Sequence, residues 1–105
     1  MASYQVEVDS RARKEIRQLP GHIRAQVLRV LRMMEQEPRL PHSRPLDLLR
    51  TGIHLDPGVE LRRLRIASWR IVYLVDEGSR LVTVLAIRQR PPYQYDDLEE
   101  LLRSN

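Results

Sequence analysis

The chain has 105 residues, of which 42% are hydrophobic and 30% charged, and its formal net charge is +4. Because cysteine is absent, disulfides, thiolate metal sites and cysteine nucleophiles are excluded. No apolar run approaches the roughly 20 residues of a membrane span, and the N-terminus lacks the features of a signal peptide. We therefore expect one domain over residues 1–105, located in the cytoplasm.

Positive charge is distributed unevenly along the chain. Residues 1–92 carry 17 basic and 10 acidic residues, whereas residues 93–105 carry one basic and four acidic residues. Lys14 is the only lysine, so nearly all of the positive charge is arginine, the better bidentate ligand for phosphate. A basic body with an acidic tail predicts an anionic partner, nucleic acid before others. A genomic base composition that favours arginine is the alternative explanation.

The first third of the chain predicts a strand followed by two short helices. Residues 3–9, SYQVEVD, alternate apolar and polar side chains, which is typical of a half-buried strand. A helix follows over about 10–19, capped by Asp9 or Ser10, and a Pro-Gly pair separates it from a second helix over about 22–36. The predicted apolar faces contain Ala12, Ile16 and Leu19 in the first helix, and Ile23, Val27, Val30 or Leu31, and Met34 in the second.

The rest of the chain predicts an irregular segment, three strands and a last helix. Residues 38–57 are punctuated by proline and are predicted to form an ordered loop. The strands are predicted over about 59–66, 69–76 and 81–89, and the helix over about 96–103. The order β-α-α-β-β-β-α predicts an α+β fold, in which an N-terminal helical hairpin packs on one face of an antiparallel sheet.

Arginines interrupt the apolar pattern of these strands, and alternation sorts them by face. Arg63 and Arg65 share one side of their strand, whereas Arg62 takes the other. In the last strand, alternation places on one face Val82, Val84, Ala86, Arg88 and Arg90. The sheet face away from the helices is therefore predicted to be a phosphate-binding surface formed by Arg63, Arg65, Arg70, Arg88 and Arg90. A solvated face with scattered ion pairs is the alternative.

Three segments show a characteristic order of motifs. They are YQVEVDSRARKEIRQLPGHIRAQVLRVLRMMEQEP, ELRRLRIASWRIVYLVD and VTVLAIRQRPPYQY. In this order and spacing they resemble the RelE/ParE superfamily of type II toxin–antitoxin toxins. The resemblance extends over almost the whole chain except residues 39–58, and it implies a RelE-like fold.

The resemblance to the RelE branch implies a toxin that cuts mRNA in the ribosomal A site and so inhibits translation. In this reaction the ribose 2′-hydroxyl attacks the adjacent phosphorus and the 5′-oxygen leaves. The reaction needs a base, an acid and positive charge around the pentacoordinate phosphate. The family uses basic residues and a tyrosine, so the resemblance implies no metal and no other cofactor. The implied partners are mRNA on the ribosome and a cognate antitoxin protein, with no membrane.

The resemblance also implies which residues form the site. Catalytic roles fall on Arg63, Arg70, Arg90 and Tyr95. RNA or phosphate binding falls on Arg65, Arg88, Tyr93 and Arg62. Tyr93 is an alternative to Tyr95 because two prolines alter the local spacing, and Arg62 is expected to point outward, either into solvent or toward the antitoxin.

Leu61 departs from the RelE pattern, because that branch has a lysine at this position. Arginine is a poor base, so the predicted site supplies phosphate stabilisation more clearly than proton transfer. Three possibilities stay open: an active ribonuclease, a ParE-like toxin that binds and inhibits DNA gyrase without catalysis, and an inactive member. The histidines are far apart in sequence and are predicted to be helix-start or loop residues rather than metal ligands; they are His22, His42 and His54.

Overall fold

In the part of the chain that the structure describes, five strands form one sheet, and the two helices of the N-terminal hairpin pack on one of its faces. The computed structural model describes residues 3–48, 53–89 and 102. In chain order the elements are β1 (Gln5–Val8), α1 (Ser10–Arg17), α2 (Gly21–Met34), β2 (Ser43–Pro45), β3 (Val59–Ile66), β4 (Trp69–Asp76) and β5 (Leu81–Gln89). The strand order across the sheet is β1-β5-β4-β3-β2. Neither described helix is long and apolar enough to cross a bilayer.

The observed elements confirm the predicted α+β class and add one strand. The predicted bounds of β3, β4 and β5 are correct, because each is an apolar-rich run between turn residues. β2 lies in the segment predicted to be irregular, and its three residues are too few to show alternation. β1 pairs with β5 in parallel, so the sheet is mixed rather than wholly antiparallel. The predicted helix over 96–103 lies outside the described residues except for Leu102, which is helical.

The helical hairpin is divided where its sequence disfavours a continuous helix. Pro20 is the N-cap of α2, with a φ of −53° that suits the proline ring. The guanidinium of Arg24 donates to three main-chain carbonyls between Ile16 and Leu19, at 2.9 to 3.3 Å. These bonds add partners for carbonyls at and just beyond the end of α1 and place a cation at the negative end of its dipole. Asp9 is the N-cap of α1 as predicted, although its side chain makes no capping hydrogen bond.

A first hydrophobic cluster fills the space between the hairpin and the sheet. Both predicted helical faces contribute to it, and alternate residues of β3 and β4 contribute from below. Its helical-hairpin members are Ala12, Ile16, Leu19, Ile23, Val27, Leu31 and Met34, and its members in the last three strands are Leu64, Ile66, Ile71, Tyr73, Val75, Val82, Val84 and Ile87. Full burial of an aliphatic or aromatic side chain of this size stabilises a fold by about 1.5–3 kcal/mol. The alternation predicted for β3 and β4 is confirmed.

A β-bulge at Leu85 changes which residues of β5 share a face. Val84 pairs with Tyr73 and Ala86 pairs with Val72, so Leu85 has no partner on β4. The additional residue shifts the alternation by one position. The shared face predicted for Val84 and Ala86 is therefore wrong: Val84 packs in the first cluster, whereas Ala86 packs on the opposite side of the sheet.

A second, smaller hydrophobic cluster lies on the face opposite the helices. Its buried members are Leu61, Val72, Leu85 and Ala86. The residues that pack against them are Leu46, Leu48, Ile53, Leu55, Leu74 and Leu102. The side of the sheet expected to be open is thus covered over the half that contains Leu61, and its arginines lie toward the other end of β3 and β4.

A chain of polar contacts connects β1 with the region around β2. Tyr4 donates to Glu77 at 2.6 Å, and Arg39 forms an ion pair with the same carboxylate. Arg39 also approaches Glu60 at 3.6 Å, and Glu60 forms an ion pair with Arg62. The hydrogen bonds from Tyr4 and Arg39 lower the pKa of Glu77, and the bond with Glu77 raises the pKa of Arg39.

The Glu77 contacts predict a pH-dependent contribution to stability. The folded-state pKa of Glu77 is below its ordinary value of 4.5, so the fold favours the ionised carboxylate. This contribution is fully present above the unfolded-state pKa and is lost as the pH falls through the folded-state pKa. We expect Glu77→Gln to be less stable than the wild type at pH 7, with the difference shrinking below about pH 4.5. Urea unfolding at a series of pH values measures it. Glu35→Gln is the control, and a difference that stays constant with pH would contradict the prediction.

The second cluster predicts that the lysine of the RelE branch is not tolerated at position 61. Leu61 is only 2% exposed and packs among apolar side chains. Leu61→Lys places a charge in this cluster and is expected to lower the free energy of unfolding by about 3 kcal/mol. Leu61→Met conserves volume and is expected to cost less than about 1.5 kcal/mol. Denaturant unfolding compares the two variants, and equal stabilities would show that the cluster opens to solvent.

Candidate phosphate-binding site

A cleft of about 490 Å³ lies on the uncovered half of the second face. It is lined by Pro41, His42, Arg44, Arg63, Arg65 and Arg70. Five of these six side chains are basic or carry an imidazole, and no carboxylate is among the described residues of the lining. A concave surface with one sign of charge focuses its electric field and attracts anions. We call this feature the arginine cleft.

Strand register brings the four arginines of the cleft together. Arg44 on β2 is the antiparallel partner of Arg63 on β3. Arg65 on β3 is the partner of Arg70 on β4. Because Arg63 and Arg65 are two residues apart, their side chains lie on the same face of β3. Like charges directly opposite each other destabilise a sheet, so an anion bound between them relieves a cost that the free protein bears.

Arg70 is the most deeply placed cation of the cleft. Its residue is only 8% exposed. Its Nε atom is buried and has no hydrogen-bond partner among the described residues. A buried donor without a partner typically costs about 1–3 kcal/mol. Arg70 thus brings a buried positive charge with an unsatisfied Nε donor to the wall of the cleft.

Arg62 does not point outward, so that expectation is wrong. It is 8% exposed and lies opposite Tyr73 in the register, toward the helical side of the sheet. Its Nε and Nη2 donate to Ser43 Oγ at 3.1 and 2.8 Å, and Nη2 also donates to the Ser43 carbonyl at 3.2 Å. Glu60 balances its charge. Arg62 therefore fixes β2, which carries Arg44 of the cleft, rather than contributing to the lining itself.

Arg88 lies apart from the arginine cleft although it pairs with Arg70 in the register. Its Nε donates to Glu15 Oε2 at 2.9 Å, and the main-chain N–H of Ile87 donates to Glu15 Oε1 at 3.0 Å. The pairing of β1 with β5 ends at Val84, so α1 replaces a strand along the remaining edge of β5. The ion pair with α1 directs Arg88 toward that edge.

The remaining predicted site residues fall outside the described part of the chain. These are Arg90, Tyr93 and Tyr95. The structure thus brings together Arg63, Arg65 and Arg70 of the predicted set.

Two lining residues, His42 and Arg44, were not predicted. His42 precedes the short strand β2, and Arg44 lies within it. No sequence pattern indicates that β2 pairs with β3. Within residues 3–48 and 53–89, no group of three or more histidine, aspartate or glutamate side chains is arranged to hold a metal ion.

In the part of the chain that the structure describes, the sheet and the N-terminal helical hairpin form the architecture that the resemblance to the RelE/ParE superfamily implies. A model of the family described as the ParE toxin of the type II toxin–antitoxin system parDE matches residues 6–91. The chain therefore belongs to the ParE toxin family and is a toxin of a type II toxin–antitoxin system. A search of curated proteins finds no match.

Solved RelE structures share the fold. The archaeal RelE–RelB complex from Pyrococcus horikoshii has a TM-score of 0.71 at 20% identity, covering 87% of this chain and 99% of that chain. The RelBE2 toxin–antitoxin complex from Mycobacterium tuberculosis has a TM-score of 0.64 at 25% identity, covering 84% and 99%. The isolated RelE toxin of Escherichia coli has a TM-score of 0.60 at 24% identity, covering 97% and 99%. The resemblance noted in the sequence is confirmed, and so is the RelE-like fold.

The contrast between Arg70 and Arg62 predicts opposite effects on stability and binding. Arg70→Met removes an unpaired buried cation and is expected to keep or raise the free energy of unfolding while weakening binding to single-stranded RNA. Arg62→Met removes the support of β2 and is expected to lower the free energy of unfolding by about 2 kcal/mol. Denaturant unfolding and RNA titration at low salt measure the two effects. Loss of stability in Arg70→Met, with RNA affinity unchanged, would show that Arg70 is a structural residue.

Proposed function

We propose that this toxin is a ribosome-dependent mRNA interferase that acts in the cytoplasm and blocks translation by cutting mRNA. The observation that supports the proposal is the arginine cleft, in which four arginines meet without a carboxylate among the described lining residues. Such a surface fits a polyanion that carries closely spaced phosphates. A basic groove of this kind is how proteins follow the backbone of a single strand.

In the proposed reaction, the cleft stabilises the charge that develops on phosphorus. Arg70 is buried at the wall and has an unsatisfied donor, so it is already desolvated before the substrate arrives. Fixed cations in a site of low dielectric stabilise a pentacoordinate phosphate more than they do in water. Arg63 and Arg65 provide further donors on the same face, and Arg44 extends the positive surface to a neighbouring phosphate.

We further propose that a cognate antitoxin protein neutralises the toxin. Two of the similar structures, from Pyrococcus horikoshii and Mycobacterium tuberculosis, are toxin–antitoxin complexes. An acidic segment of the antitoxin would cover the arginine cleft and compete with RNA, because both ligands would bind the same positively charged surface.

A second candidate function is the inhibition of DNA gyrase without catalysis. The family model that matches this chain is that of ParE toxins. Leu61 supports the same candidate, because a buried leucine occupies the position of a lysine in the RelE branch and supplies no proton-transfer group. On this alternative, the cleft binds an acidic surface of gyrase rather than an RNA backbone.

Primer extension on translated mRNA after induction of the toxin tests the proposal. We expect cuts at ribosome-positioned sites with the wild type, and a loss of about 100- to 1,000-fold in cleavage rate with Arg70→Ala, because one preorganised donor to the transition state is removed. Arg29→Ala on the exposed side of α2 is the matched control and should cut normally. Intact mRNA together with DNA-damage signalling would reject the interferase in favour of gyrase inhibition.

A further inference from the structure

The described lining of the arginine cleft contains one side chain that is suited to act as a general base. The lining arginines are Arg44, Arg63, Arg65 and Arg70, and a guanidinium group donates hydrogen bonds but has no acceptor atom. Pro41 has no ionisable group. His42 remains, and a neutral imidazole has a nitrogen that accepts a proton.

Two carboxylates on elements that pack with these strands, Glu60 and Glu15, form ion pairs outside the cleft. Glu60 is paired with Arg62 and Arg39, and Glu15 is paired with Arg88. None of these carboxylates is part of the cleft lining. Among the described lining residues, the charged groups that share the cleft with His42 are cations: one arginine on β2, two on β3 and one on β4.

The backbone that carries His42 is held firmly while its imidazole stays accessible. The adjacent residue, Ser43, donates to the Leu40 carbonyl through both its main-chain N–H, at 2.9 Å, and its hydroxyl, at 2.7 Å. Arg62 binds the same serine from the other side. The imidazole of His42 is exposed and has no hydrogen-bond partner among the described residues. A side chain on a fixed backbone with a free polar end is suited to meet a substrate.

From this placement we propose that His42 is the general base of the cleavage reaction, an inference that rests on the mRNA interferase function proposed above. The neutral imidazole accepts the proton of the ribose 2′-hydroxyl while the 2′-oxygen forms its bond to phosphorus. The bond between phosphorus and the 5′-oxygen breaks, and the leaving oxygen takes a proton from solvent. The products are a 2′,3′-cyclic phosphate and a 5′-hydroxyl, and His42 returns its proton to water.

The role of His42 fills the gap that Leu61 leaves. The arginines stabilise the negative charge of the transition state but do not remove the 2′-hydroxyl proton. A neutral imidazole beside them adds the missing transfer, and general-base catalysis contributes about 100- to 10,000-fold in rate. In this mechanism, the arginines of β3 and β4 stabilise the negative charge, and His42, which precedes β2, transfers the proton.

Single-turnover cleavage on purified ribosome complexes tests this role with three proteins: the wild type, His42→Ala and His22→Ala. His22 is an exposed histidine at the start of α2 and serves as the matched control. We expect His42→Ala to lose about 100-fold or more in rate, and to lose the rise in rate with pH that titration of a histidine base produces. Added imidazole should restore part of its rate. Its affinity for uncleavable 2′-O-methyl RNA should stay unchanged, and His22→Ala should match the wild type throughout.

The outcomes separate this inference from the function on which it rests. If the wild type cuts mRNA and His42→Ala cuts equally fast with the same pH profile, the role of His42 is wrong and the interferase function stands. If His42→Ala loses cleavage together with RNA affinity and imidazole restores nothing, His42 is a binding or structural residue instead. If the wild type does not cut mRNA on ribosomes, the proposed function and the role of His42 both fail.

Discussion

Four guanidinium groups that repel one another lie close together in this fold, and the rest of the structure must hold them there. Register on β2, β3 and β4 places Arg44 opposite Arg63 and Arg65 opposite Arg70, with no described carboxylate in the lining to compensate. Such an arrangement persists only if the surrounding structure holds the strands in place at a cost. Two hydrophobic clusters do so from opposite faces of the sheet, and β3 and β4 contribute to both. The apolar residues of these strands thus stabilise the fold, whereas the four arginines of the cleft oppose it by their mutual repulsion.

Three arginines outside the cleft have the opposite character, because each of them forms an ion pair. Arg62 is bound by Ser43 and Glu60, Arg39 by Glu60 and Glu77, and Arg88 by Glu15. These contacts fasten the peripheral segments, including β2, onto the central strands. Burial does not distinguish Arg62 from Arg70, since both are 8% exposed. They differ in their partners, because Arg62 donates to Ser43 and pairs with Glu60, whereas Nε of Arg70 has no partner among the described residues.

Sequence patterns predicted the central elements well and the edges of the site poorly. Long periodic runs of apolar residues predict the strands β3, β4 and β5 and the apolar faces of the hairpin. The local sequence was therefore sufficient to predict these elements. Alternation did not predict the bulge at Leu85, because a strand with one additional residue looks like a regular strand in sequence. Arg62 and Arg88 look like their neighbours in sequence, and only contacts with Ser43 and Glu15 distinguish them. His42 joins the cleft through a three-residue strand that carries no periodic signal.

The β-bulge in β5 also affects how the two faces of this sheet can change during evolution. Every side chain beyond Leu85 owes its face to one unpaired residue, so losing or gaining a single residue there exchanges the two faces for the rest of the strand. Ile87 would leave the core beneath the helices, and Arg88 would replace it. Substitutions on β5 adjust the strength of individual contacts, whereas a one-residue insertion or deletion moves whole sets of charges between core and surface. Relatives with different numbers of residues in this strand should therefore differ in the face on which their β5 arginines lie, even where those arginines align in sequence.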